Sequence, residues 1–381
     1  MLLTLALGLL SPMPEPAVDS RRLMATVRKL ASWQNRNTNN ETLTEAASWI
    51  ADEYRKIPGI QVEIMRYKVD KGQRIREDKE VVQVVATLPG ETSRRVLMGG
   101  HFDTIAMPLP GWDAKSPGAN DDASGVAATL ECARLMAGQK WHNTLVFIAF
   151  SGEEQGLLGA RALAARAKAE KWDIEGFLNN DTVGSSHRID GTKEKRFIRV
   201  FSTDAMPEAS TGSARELARH LEWTCRGKVK GFGVKLVLRN DRFGRGGDHT
   251  PFMQAGFPAV RLTEAIEEYA RQHTNQDLPE FVDARYLANV TRINHLGLQA
   301  LANSGPPPTT VRIDRAQGSS TTLTWKATKG TSYTVYWRET LSPVWQKAQV
   351  VGEVSKATVS AHKDDFEFAV GASTGVPVAA S

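Results

Sequence analysis

Residues 116–161 constrain this chain more than any other stretch. They open with SPGANDDASGVAATLECARLMA, a polar acidic turn that feeds a mostly apolar helix, and close with NTLVFIAFSGEEQGLLGAR. Residues 145–150 are almost wholly hydrophobic and end in Ser151-Gly152-Glu153-Glu154. A strand of that kind is covered on both faces, as in the sheet of an α/β protein. Such folds carry their chemistry where strands exit at their carboxyl ends. His101-Phe102-Asp103-Thr104 follows the apolar Val96-Leu97-Met98 at one such exit. Asn179-Asn180-Asp181 and Gly247-Asp248-His249-Thr250 read the same way. Histidines and carboxylates gathered at strand ends suggest a metallohydrolase.

The order of elements agrees with an α/β frame. Leu23, Val27 and Leu30 give residues 20–34 the spacing of an amphipathic helix. Thr42-Leu43-Thr44-Glu45 reads as a capping box ahead of a helix with Ala46, Trp49, Ile50 and Tyr54 on its apolar face. Strands are expected at 60–67, 80–88 and 94–98, with a solvated lysine- and aspartate-rich connection between the first two. Beyond residue 94 strands and helices alternate: helix 157–172, strands 176–180 and 196–202, helix 211–221, strand 258–262 and a closing helix at 282–303. The fold class is α/β, a three-layer sandwich around a mixed, mostly parallel twisted sheet with an antiparallel edge. Ser304-Gly305-Pro306-Pro307-Pro308 makes 304–309 a linker. After it come short alternating strands without helix, so residues 310–381 read as a small all-β sandwich. The domain reading is therefore 1–19, 20–303, 304–309 and 310–381.

Composition removes some functions. The net charge is only +5 over 381 residues and the basic residues are scattered, which argues against nucleic acid as a partner. The apolar run at residues 1–10 is too short for a stable membrane span. It resembles the core of a secretory signal without a basic leader, so a secreted or periplasmic protein is expected. Of the two cysteines, Cys132 lies in the apolar phase of its helix and reads as a buried free thiol. Cys225 ends another helix, and a pairing of the two is not indicated.

His101 and Asp103 at i, i+2 suit an imidazole that meets a metal and a carboxylate that holds its other nitrogen, or else an exposed surface pair. Asp121-Asp122 in a glycine-flanked turn is either a helix cap or a carboxylate shared between two cations. Adjacent side chains at Glu153 and Glu154 point different ways, so one can bind metal while the other faces substrate as a base. The plain alternative is a solvated loop. With Asp181 and His249 the set reaches two histidines and three carboxylates as ligand candidates, a nitrogen and oxygen mix that suits zinc.

The segments GGHFDT, PGANDDASGVA, FSGEEQGLLGA, NNDTVG and GGDHTPF, in this order, resemble the M28 metallopeptidases, the co-catalytic dizinc aminopeptidases. The resemblance spans about residues 20–303. It implies two zinc ions per chain in a cleft at the strand ends and hydrolysis of the N-terminal bond of peptides or small proteins. It assigns His101 and Asp181 to one ion, Glu154 and His249 to the other, and Asp121 to both. Glu153 becomes the general base, Asp103 orients His101, and the Asp121–Asp122 peptide is cis. Asp248 or Glu264 is a candidate partner for a substrate α-ammonium. Residues 273–277, HTNQD, resemble the family's His-Thr-x-x-Asp segment, with Gln272 where tyrosine is common. His273 and Trp112 are candidate substrate contacts, and a packed loop is the other reading of Trp112. The tail, with SYTVYWR and DDFEFAVGA, resembles a fibronectin type III domain. A carboxypeptidase or glutamate-releasing peptidase is the nearest rival, with Arg242 and Arg245 as possible carboxylate clamps. A catalytically inactive metal-binding or adhesion protein is the rival of another class. Glutamine cyclisation fits less well, since it goes with a single zinc. The oligomeric state is not legible.

Overall fold

A computed structural model describes residues 17–203 and 212–381. The apolar run read as a secretory segment lies outside the described residues. Eight strands form one sheet: β1 (Gln61–Val69), β2 (Lys79–Leu88), β3 (Thr92–His101), β4 (Asn143–Phe150), β5 (Ile174–Asn180), β6 (Phe197–Phe201), β7 (Gly233–Val237) and β8 (Ala259–Glu264). Their order is β1-β2-β4-β3-β5-β8-β6-β7. The central run β4-β3-β5-β8 is parallel, as is β6 with β7, whereas β1–β2, β2–β4 and β6–β8 pair antiparallel. The sheet is the mixed, mostly parallel one expected, although β7 carries no sequence signal of its own.

Side-chain alternation explains the layers. Along β4, Leu145, Phe147 and Ala149 enter one apolar core, and Val146, Ile148 and Phe150 enter the other. On β3, Val96 and Met98 join the first and Leu97 the second. The first core is closed by α1 (Ser20–Leu30), α2 (Glu41–Arg55), α3 (Ala123–Met136), α5 (Gly212–Cys225) and α7 (Ala284–Ala302). The second is closed by α4 (Leu158–Ala169) and the short α6 (His249–Gln254). A period-2 pattern with both phases apolar therefore sets a central strand between two helical layers.

Two local expectations change. The capping box at Thr42 does not form, because α2 begins one residue before it, after Asn40. The Asn40 amide is committed instead to Asn35 Oδ1 and the Trp112 carbonyl, and Glu45 accepts the Trp33 indole N–H. Gly247-Asp248-His249-Thr250, read as a strand exit, follows no strand directly: β7 ends at Val237 and α6 begins at His249. Cys132 and Cys225 are both free and buried. Among the described residues no helix is long and apolar enough to cross a membrane.

The tail folds as two antiparallel sheets around a core of its own. One contains β9 (Thr309–Ile313), β10 (Thr321–Lys326) and β13 (Lys356–Val359), in the order β13-β10-β9. The other contains β11 (Tyr333–Glu339), β12 (Lys347–Gly352), β14 (Phe366–Ala372) and β15 (Val378–Ala379), in the order β12-β11-β14-β15. The tail packs on α5, where Trp223 meets Tyr336 edge-on at 5.8 Å and Arg226 donates to the Trp345 carbonyl at 2.7 Å. Val376 N–H donates to Glu175 on β5 at 2.9 Å.

Candidate active site

Three parallel neighbours bring the acidic segments to one level. His101 is the last residue of β3 and pairs in register with Phe150 at the end of β4, and Gly99 pairs with Asn179 on β5. Glu153 and Glu154 therefore emerge on one side of His101 and Asp181 on the other. The crossover from β3 to β4 begins at the Asp121–Asp122 turn, whose peptide bond is cis. The approach of α3 to the sheet is close: a Cβ on Gly125 would stand 2.4 Å from Asp122 Oδ2 and 2.5 Å from the Asn180 carbonyl, so only glycine fits.

The two aspartates take different places. Asp122 is the cap: it accepts from the N–H groups of Gly125 at 2.8 Å, His101 at 3.2 Å and Thr182 at 3.2 Å. It thereby ties α3 to the ends of β3 and β5. Asp121 points the other way, with Oδ1 3.1 Å from His101 Nε2 and Oδ2 3.1 Å from His273 Nε2. Asp103 holds the glutamate turn, accepting from the Glu153 and Glu154 amides at 3.2 Å each. The His101 Nδ1 contact at 3.2 Å is with the Asp103 main-chain carbonyl, and the carboxylate stands 3.6 Å away.

Donor atoms within 4.8 Å of one another form three overlapping groups: His101–Asp121–Asp181, Asp121–Glu154–His273 and His101–Glu153–Glu154. The first two share Asp121. His249 joins none of them. It is fully buried at the start of α6, where burial and nearby Arg261 push its imidazole well below the usual range. The second histidine of the cluster is His273, 3.2 Å from Glu154 Oε2, in the connection between β8 and α7. The HTNQD spacing is the signal that could have found it. Asp277, four residues on, accepts the Asp121 and Asn120 amides at 2.9 Å each, so this segment supports Asp121 from two directions. Gln272 donates to Asp121 Oδ2 at 2.8 Å.

Electrostatically the cluster is under tension. Burial raises Glu153 well above the ordinary carboxylate range, against His101, and Glu154, Asp181 and Asp248 raise it further. Glu154 and Asp181 are raised by burial too, opposed by His273 and Arg261 respectively. Asp121 moves down, because its two histidines outweigh burial. His273 is raised to about 11: burial lowers it, but Glu154 and Asp121 prevail. Carboxylates crowded this closely are relieved by positive charge, which is the electrostatic condition a cation site presents.

These groups face a cleft of about 340 Å³ that is also lined by Arg74, Leu157, Arg245 and Arg261. Asp248, Glu264 and Trp112 do not line it. Asp248 is fully buried, and neither carboxylate oxygen has a hydrogen-bond partner among the described residues. Glu264 is buried and accepts from Asn120 Nδ2 and the Ser185 amide. Trp112 belongs to a packed loop, with Arg76 over its ring at 4.7 Å and its carbonyl bound by Asn40.

Residues 83–296, more than half of the chain, match the sequence model of peptidase family M28. The chain belongs to that family. Relatives of this M28 chain include a "probable zinc metalloprotease" of Leptosphaeria maculans, 35% identical over 413 residues, covering 96% of both proteins. Another of that description, from Pyrenophora tritici-repentis, is 34% identical and covers 94% of this chain and 85% of its own length. Among solved structures, a leucine aminopeptidase precursor from Bacteroides thetaiotaomicron superposes with a TM-score of 0.60 at 17% identity, covering 75% of this chain and 98% of its own. A glutaminyl cyclase from Fimbriiglobus ruber reaches 0.61 at 19% identity, covering 74% and 95%. At those identities the likeness is one of fold.

Proposed function

We propose that this M28 chain is a zinc-dependent aminopeptidase with two zinc ions per chain. The observation that carries the reading is the sharing of Asp121, whose two oxygens face two different histidines, each with a further carboxylate beside it. Mixed imidazole and carboxylate donors of this kind suit zinc. His101 and Asp181 would hold one ion, His273 and Glu154 the other, and Asp121 both. Bound zinc would supply the Lewis-acid charge that makes a scissile carbonyl electrophilic and a nearby water acidic.

Glu153 lies outside both shared sets and faces the same cleft. It takes a proton from the attacking water and returns it to the departing amine as the C–N bond breaks. Asp103 sets its position through the Glu153 amide, and Asp277 sets that of Asp121. The double donor set favours hydrolysis over cyclisation. Arg245, a clamp candidate for a carboxypeptidase, already binds Glu267 and Asp241, which weakens that rival.

The tail's three- and four-stranded sheets support a fibronectin type III-like fold, and residues 1–10 support export. Aminoacyl-arylamides, assayed with and without chelator beside N-acetylated and C-terminally amidated peptides, test the activity. Chelator-sensitive cleavage of free N-termini only is expected. Cleavage of N-acetylated peptides at equal rates would sink the aminopeptidase reading.

A further inference from the structure

Three arginines line the cleft, and they differ in what they already hold. Arg245 binds Glu267 at 2.6 Å and Asp241 at 2.9 Å. Arg261 is buried, binds Asp241 at 3.0 Å and donates to the Gly246 carbonyl at 2.9 Å. Arg74 has no carboxylate partner among the described residues. Its one side-chain bond there is from Nη1 to the main-chain carbonyl of Glu154, at 2.5 Å. A guanidinium has five N–H donors in a planar fork, so most of this one is uncommitted.

Arg74 is also held in place. It sits in the connection between β1 and β2, which reads from sequence as a merely solvated segment. Its carbonyl accepts from Asn39 Nδ2 at 2.9 Å, and the next amide but one, that of Arg76, donates to Asn39 Oδ1 at 2.8 Å. Ile75 between them is buried, only 4% exposed. The Gly72 N–H also donates to the Ile75 carbonyl at 2.9 Å, so the backbone is pinned on both sides of an exposed cation that reaches the Glu154 turn.

We propose that Arg74 is a specificity-determining residue that binds a carboxylate of the peptide substrate. The inference rests on the aminopeptidase reading and adds a substrate class to it: short peptides with an anionic group just past the scissile bond. That anion is either the C-terminal carboxylate of a dipeptide or an acidic side chain. Planar, two-pronged recognition of a carboxylate is the chemistry a free guanidinium fork performs best.

The test uses the zinc-loaded full chain and two substrate pairs. Leu-Ala against Leu-Ala-amide reads the terminal carboxylate, and Leu-Glu-amide against Leu-Gln-amide reads the side chain. The measured quantity is the ratio of kcat/KM within each pair, so a general loss of activity cancels, and Arg74→Lys, which keeps the charge, controls for the change in the cleft's field. In the wild type the carboxylate-bearing member of at least one pair should be preferred about 10-fold or more, chiefly through KM, as a charge-assisted hydrogen bond allows. Arg74→Gln should bring that ratio to within about two-fold of unity, and Arg74→Lys should keep part of it. Turnover without preference in either pair, or a preference that survives in Arg74→Gln, overturns the proposal while leaving the aminopeptidase reading intact. Failure of the wild type to cleave any of the four substrates overturns both.

Discussion

Replacing Arg36 by methionine should destabilise the protein far more than the loss of one surface charge. Arg36 is completely buried. Its guanidinium donates to the carbonyls of Leu30 and Phe102 at 2.6 Å, Pro117 at 2.5 Å and Gly118 at 3.0 Å. It thus fastens the end of α1 to the loop carrying Asp103 and the loop leading to Asp121. Burial lowers its pKa to about 10, while Asp277 and Asp103 hold it up, so it is charged at neutral pH. Methionine keeps much of the volume and removes every donor. The Gly118 carbonyl keeps the Ala123 N–H. Those of Leu30, Phe102 and Pro117 have no second donor among the described residues. An orphaned buried acceptor costs about 1–3 kcal/mol, so three give a loss of roughly 3–9 kcal/mol, against a total stability of about 5–15 kcal/mol. Arg36→Lys keeps the charge but cannot span four carbonyls, and should fall between. Urea unfolding followed by tryptophan fluorescence and circular dichroism measures this. A methionine variant within about 1 kcal/mol of wild type would refute the reasoning.

Glu153→Gln should leave zinc content unchanged and lower kcat by about 10²–10⁴-fold, whereas Glu154→Gln should lose zinc and regain part of its rate when zinc is added. The reverse pattern would exchange their roles. His273→Ala should reduce the zinc bound per chain, measured by atomic emission, and His249→Ala should not; equal loss in both would return His249 to the site. Buried His220 titrates at about 4 against an unfolded value of 6.5. Above pH 6.5 it is neutral in both states; as pH falls from 6.5 to 4 the unfolded chain gains a proton that the folded chain refuses, and stability drops by about 3 kcal/mol. His220→Gln should therefore unfold in urea with a smaller loss of stability between pH 7 and pH 4.5 than wild type, and an identical pH dependence would exclude the effect.

Much of the site was legible because it is local to strand ends. The alternation of residues 145–150 and the glycine-histidine exit of β3 specify neighbouring buried strands, and the residues following a strand must emerge beside it. His101, Glu153, Glu154 and Asp181 become candidates by that argument, and the family resemblance gives them their roles. The division of labour between Asp121 and Asp122 was open in sequence, since adjacent carboxylates in a turn satisfy either role. The family resemblance names Asp121, and the seating of Asp122 against the amides of Gly125, His101 and Thr182 gives the physical reason.

What the amino-acid sequence determined by itself was the α/β frame, a consequence of short-range periodicity, and, through the resemblance of five short segments, the family and the strand-end half of the clustered side chains. The tertiary structure decided which second histidine arrives. His249 and His273 both stand in polar segments near an aspartate, and periodicity does not say which segment folds back over β3 and β4; the HTNQD spacing alone distinguishes them. Packing of the first turn of α6 against the sheet buries His249, while the connection after β8 carries His273 to Asp121 and Glu154. Arg36 and Arg74 were invisible for the same reason. Arg36 is seated on main-chain carbonyls as far away as Gly118 and Arg74 on that of Glu154, and a carbonyl leaves no trace in residue identity; only the folded path of the chain brings it within reach of a donor.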